Sequence, residues 1–115
     1  MPGRTYDPFD VVVVPFPFTD RPVTKRMPAL VLSSQDFNRE HAHMILTMIT
    51  SAHHTPWTSD VVLVDWRAAG LTVPCRLRFK LFTLPKSNIH RHLGQLGQPD
   101  RQEVQAALMQ GLAAV

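Results

Sequence analysis

The chain has 115 residues, 44% of them hydrophobic and 18% charged, with a formal net charge of +3 and a single cysteine. That length suits one domain, residues 1–115, built around one core, and the composition is too apolar for a disordered chain. Cys75 alone excludes an internal disulfide. The longest apolar run, Val11 to Phe18, falls far short of the roughly 20 residues of a membrane helix, and no apolar leader opens the chain, so a cytoplasmic protein is expected.

Ten prolines fragment any long helical pattern before residue 100. The run from Asp10 to Phe18, β-branched and aromatic without polar alternation, predicts a strand buried on both faces. Thr19 to Arg26 is polar and basic and predicts a loop leading to a second strand over Pro28 to Ser33. Ser34 to Glu40 has turn formers and room for about one helical turn. A third strand follows over His43 to Thr50. Ser51 to Ser59, with Pro56 inside it, predicts a loop before a strand over Asp60 to Asp65, whose two acids read as strand terminators.

From Pro74 to Phe82 the chain alternates. Cys75, Leu77, Phe79 and Leu81 fall on one face, and Arg76, Arg78 and Lys80 on the other. Ile89 to Leu93 predicts one more short strand. Asp100, with Glu103 three residues on, reads as the cap of a C-terminal helix through Val104, Leu108 and Leu112. Short strands without crossover helices, plus one terminal helix, define a mostly β fold, a twisted antiparallel barrel.

Charge is distributed unevenly. Arg67, Arg76, Arg78, Lys80, Lys86 and Arg91 lie in a stretch from Arg67 to Gln98 that holds no Asp or Glu. Such a stretch favours a phosphate-rich partner, although an ordinary solvated basic surface has the same composition. Alternate strand positions rise about 6.7 Å, so Arg76, Arg78 and Lys80 can follow the phosphates of an extended single strand.

The paired histidines lack the three-ligand spacing of a zinc site, and no metal is expected. His53 and His54, directly after Thr50 and Ser51, are candidates for proton transfer. No glycine-rich phosphate loop or nucleophile elbow is present.

Several segments in series resemble the PemK/MazF family of type II toxin–antitoxin endoribonuclease toxins. They are Asp10-Val-Val-Val-Val-Pro-Phe-Pro-Phe-Thr-Asp20, Lys25-Arg-Met-Pro-Ala-Leu-Val-Leu-Ser33, Ile49-Thr50-Ser51, Gly70-Leu71, Phe82-Thr-Leu-Pro-Lys-Ser-Asn-Ile89, Leu93-Gly94 and the closing helix. The resemblance implies an SH3-like barrel of about five to seven strands with a C-terminal helix, acting as a homodimer. It implies cleavage of single-stranded RNA, including mRNA, without metal or other cofactor, leaving 2′,3′-cyclic phosphate and 5′-hydroxyl ends. It also implies a cognate antitoxin with an acidic C-terminal segment.

Carried over by position, the family's catalytic hydroxyl falls on Thr50, with Ser51 beside it. The family's catalytic arginine falls on Met27, which supplies neither charge nor donor. Losing one transition-state donor costs on the order of 100- to 1,000-fold in rate, so the resemblance implies a weakened enzyme. Arg26 is a possible substitute, although strand neighbours face opposite ways. Phe18, Thr19, Arg21 and Lys25 of the loop, with Arg76, Arg78 and Lys80, are the implied RNA contacts. Lys80 and Phe82 replace a glutamine and an arginine common in the family. The alternatives are a non-catalytic RNA- or antitoxin-binding module of the same fold and a gyrase-inhibiting toxin. The aromatic tail of the gyrase inhibitors has no counterpart in Gly111-Leu-Ala-Ala-Val115.

Overall fold

The computed structural model describes residues 5–16 and 25–113. Six strands are present: β1 (Asp10–Phe16), β2 (Lys25–Val31), β3 (His43–Ser51), β4 (Val61–Val62), β5 (Cys75–Pro85) and β6 (Arg91–Gln95). Helix α1 (Gln35–Glu40) joins β2 to β3, and α2 (Gln98–Gly111) follows β6. The strands form one antiparallel sheet in the order β4-β5-β3-β2-β1-β6, curved into a half-barrel. None of the described helices is long and apolar enough to cross a membrane.

Both faces of the sheet are covered, which is why β1 reads as an unbroken apolar run. Val11, Leu30, Ile49 and Leu77 pack with Leu96 and Val104 on one face. Val12, Val14, Ala29, Val31, Met44 and Leu46 pack with Tyr6 and Leu84 on the other. Ser34 caps α1 by accepting from the Phe37 amide, and the buried Asn38 amide donates to the carbonyls of Tyr6 and Ser33. This short helix is thereby tied to the segment before β1.

Two expectations are corrected by one residue. The strand predicted over Asp60 to Asp65 is only Val61–Val62, and α2 starts at Gln98, capped by Gly97 rather than Asp100. Asp100 is fully buried in the first turn of α2, and its two carboxylate oxygens accept from the Val64 and Asp65 amides at 2.9 and 2.8 Å. The backbone donors that would continue β4 are thus consumed by the helix, and the two elements lock together.

Gly70 has φ +85°, and a Cβ there would lie 2.4 Å from the Leu93 carbonyl oxygen. A Cβ on Gly94 would lie 2.7 Å from the Ala69 carbonyl oxygen. The two glycines let the 69–70 turn press backbone to backbone on β6.

Asp100→Ala strands two amides and is expected to destabilise the fold by roughly 2–3 kcal/mol. Asp100→Asn, which keeps one acceptor, should lose about half of that, both read as midpoint shifts in urea unfolding.

Candidate functional site

The hydrogen-bond ladder between β2 and β3 ends before the strands do. Its register is Ala29↔Met48, Leu30↔Thr47 and Val31↔Leu46, extended by the Leu32 amide donating to the Ile45 carbonyl at 2.9 Å. Backbone groups alternate sides along a strand, so the donor positions facing β3 are Leu32, Leu30 and then residue 28. Residue 28 is proline and has no N–H. It cannot donate to Ile49, and beyond it a cleft of about 280 Å³ opens, lined by residues that include Met27, Pro28, Ile49, Ser51, His54, Cys75 and Arg91. Continued by two residues, the same register sets Met27 across from Thr50.

Two hydroxyl–imidazole pairs stand beside this cleft. Thr50 Oγ1 lies 2.8 Å from His54 Nδ1, and Ser51 Oγ lies 2.6 Å from His53 Nδ1, with the two rings 4.4 Å apart between centroids. Thr50 is buried, whereas both histidines are exposed, so each hydroxyl anchors a ring whose far nitrogen can meet a ligand. A hydroxyl donating to Nδ1 leaves Nε2 as the proton-bearing nitrogen. A hydroxyl accepting from it leaves Nε2 as a base.

The loop that carries the imidazoles is held by β5. Arg76, paired with Thr50 across the ladder, donates to the His54 carbonyl at 3.1 Å. Arg78 makes a two-point contact with Asp60, through Nε at 3.1 Å and Nη2 at 2.8 Å, and Nη2 also donates to the Thr55 carbonyl. The Arg78 guanidinium lies 4.6 Å from the centre of the Trp57 ring. Burial pulls the Asp60 pKa upward, but the Arg78 hydrogen bond, the Trp57 amide and the Arg78 and Arg76 charges outweigh it and leave the pKa below the ordinary carboxylate value.

The predicted row of three free cations is therefore divided. Arg78 is buried and spent on Asp60, Arg76 holds the His54 backbone, and Lys80 is exposed. The alternation that predicted the row breaks at a bulge: Thr47 pairs with Leu81 and Met48 with Arg78, leaving Phe79 and Lys80 without a partner on β3. The Thr47 hydroxyl turns to the Arg78 carbonyl inside this bulge. Leu81, expected in the core, is 40% exposed.

Arg26 sits opposite Pro15 and lines a second hollow, about 450 Å³, with Val13, Met27, Pro28, His90 and Arg91. It does not line the cleft beside Ser51 and His54. Lys25 Nζ lies 5.1 Å over the Phe16 ring. Phe18, Thr19 and Arg21 lie outside the described residues. Cys75 lines the cleft, but burial pushes its thiol pKa up, which disfavours a nucleophilic thiolate. Among the described residues no group of three or more His, Cys, Asp or Glu side chains is placed to hold a metal.

Sequence reasoning took Asp60 for a strand terminator and passed over Arg91 as a site residue. The first had a signal, an acid at the end of a loop facing a basic strand. The second had only its place in the acid-free basic stretch, because only the folded sheet brings β6 to the cleft.

Comparison with known proteins agrees with this architecture. The family described as PemK-like, MazF-like toxin of type II toxin-antitoxin system matches residues 7–112, and the chain belongs to it. No curated protein matches in the same comparison of individual sequences. Among solved structures, a mycobacterial endoribonuclease in complex with its cognate antitoxin superposes with a TM-score of 0.74 at 18% identity, over 96% of this chain and 98% of that one. A further mycobacterial endoribonuclease gives 0.74 at 16% identity over 100% of both chains. A MazE–MazF structure from Deinococcus radiodurans gives 0.70 at 20% identity over 96% of this chain and 99% of that one. At these identities the likeness is one of fold.

The Asp60–Arg78 pair sets an acid limit on stability. Because the folded-state pKa of Asp60 is lowered, its contribution is complete above the ordinary carboxylate range and is lost as pH falls through the lowered value. Asp60→Asn should melt well below the parent at pH 7, and the gap should narrow below about pH 4 in thermal scans.

Proposed function

We propose that this chain is the toxin of a type II toxin–antitoxin pair and a metal-independent endoribonuclease on single-stranded RNA, weakened because Met27 stands at the position of the family's arginine. The observation that carries the reading is the pairing of Thr50 with His54 and Ser51 with His53 beside the cleft where β2 and β3 part. Family membership supplies the toxin class.

In the proposed reaction an RNA ribose 2′-hydroxyl attacks the adjacent phosphorus. The bond from phosphorus to the 5′-oxygen breaks, leaving a 2′,3′-cyclic phosphate and a 5′-hydroxyl. The protein contributes no nucleophile. His54 takes up the 2′-hydroxyl proton and, through the neighbouring ring, His53 returns one to the departing 5′-oxygen. The Thr50 and Ser51 hydroxyls orient these rings and donate to the charge that develops on the phosphate oxygens. Met27 offers that phosphate only a thioether, and Arg26, beside Met27 but facing the other hollow, substitutes for the missing guanidinium only if β2 rotates locally.

Met27 also favours a second reading, a module that holds RNA or antitoxin without cutting. Two partners belong to either reading. One is a second copy of this chain. The other is an antitoxin with an acidic extended segment that competes with RNA for the same basic surface.

The two readings separate in one assay: this chain and Met27→Arg are compared on a mixed-sequence single-stranded RNA in EDTA, with product ends analysed. The ribonuclease reading expects cyclic-phosphate ends and a gain of about 100- to 1,000-fold from the arginine. An inert Met27→Arg protein that still binds RNA leaves the binding module. In the Met27→Arg background, Thr50→Val should reduce the cleavage rate by roughly 100-fold with little change in RNA affinity.

A further inference from the structure

We propose that Arg91, on the edge strand β6, is a phosphate-binding residue of the RNA site, placing a guanidinium at the cleft that lacks one at position 27. The inference rests on the reading that the cleft binds RNA.

Three observations meet at this residue. In the sheet, Arg91 is directly across from Val13 and Val13 is directly across from Pro28. Residues directly opposite one another share a face, so the Arg91 side chain stands on the Pro28 side of the sheet, in line with the point where the β2–β3 ladder fails. Arg91 also lines both hollows, the cleft with Ser51 and His54 and the neighbouring one with Arg26 and His90. Only Met27, Pro28 and Arg91 border both. Of these three, Arg91 alone carries a charge.

Its guanidinium is exposed and, among the described residues, has no hydrogen-bond, ion-pair or ring partner. Arg76, Arg78 and Arg101 are each committed to a protein acceptor. No carboxylate lines either hollow, whereas the larger groove beneath α2 is bordered by Asp60, Asp100 and Glu103. An anion therefore meets unopposed positive charge at Arg91 and acidic side chains under α2. The fork of a guanidinium fits two oxygens of one phosphate, and Ser51 and His54 line the same cleft of about 280 Å³.

An arginine on an edge strand also discourages edge-to-edge pairing, a role indifferent to RNA. Binding separates the two. A 2′-O-methyl RNA oligonucleotide of mixed sequence, which cannot be cut, is titrated against the parent chain, Arg91→Ala, Arg91→Lys and Arg39→Ala over a range of salt. Arg39, paired with Asp36 on α1, controls for loss of one surface arginine. Phosphate binding predicts at least about tenfold weaker binding by Arg91→Ala. It also predicts a salt slope shallower by about 0.7, with the slope kept in Arg91→Lys. Arg39→Ala should match the parent. Parent binding with Arg91→Ala indistinguishable from Arg39→Ala overturns the assignment of Arg91 and leaves the RNA reading standing. Absence of binding by the folded parent overturns both.

Discussion

A single missing backbone donor shapes the region that matters most here. Pro28 occupies the position in β2 where an amide should reach Ile49, and the sheet can neither close there nor be repaired by a side chain. Opening the ladder at that point exposes the ends of β2 and β3 to one another across a cleft. Ser51 and Met27 then line the cleft while keeping their pairings on the far side, with Cys75 on β5 and Val14 on β1, and Thr50 stays buried beside it. The same proline leaves the β1–β2 pairing intact, because its partner Val13 directs its carbonyl to His90 on the β6 side. The cleft therefore forms without loosening the apolar layers on either side of the sheet.

An open cleft has to be furnished with groups held in place, and β5 does this from behind. The Arg78 contact with Asp60 and Thr55 and the Arg76 contact with the His54 carbonyl pin the loop after β3 at both ends. With its backbone fixed, the loop presents His53 and His54 to the hydroxyls at the end of β3, where short side chains alone would leave the rings free to turn. Support of this kind holds the two rings within hydrogen-bond reach of the hydroxyls before a ligand arrives. It consumes cations that a sequence reading would assign to the ligand. Besides the exposed Lys80, positive charge lies on the side of β1, β2 and β6, where Arg26 and Arg91 border the hollows.

Much of this was legible from residue patterns, and the failures are specific. β1, β3 and α1 followed from apolar continuity and from the turn formers of Ser34 to Glu40, since both signals are local. The end of β4 and the start of α2 were misplaced because Asp100 serves amides 35 and 36 positions away rather than the helix that contains it. The three-cation row failed for a related reason. Strict alternation assumes an unbroken ladder, and the bulge at Phe79 and Lys80 changes which face the later residues occupy. The hydroxyls and adjacent histidines are neighbours in sequence as well as in space, so their contact needs no long-range pairing.

The amino-acid sequence by itself determined the class of fold and the family, because these depend on local periodicity and on motifs read along the chain. It also placed Thr50 and Ser51 beside His53 and His54. Tertiary structure decided which charges are free. Composition puts Arg76, Arg78 and Arg91 in one basic stretch, and spacing favoured the first two. They differ in what folding brings within about 3 Å of their nitrogens, where a carboxylate or carbonyl claims them. Long-range pairing set that outcome, through strands that meet only when the sheet has formed.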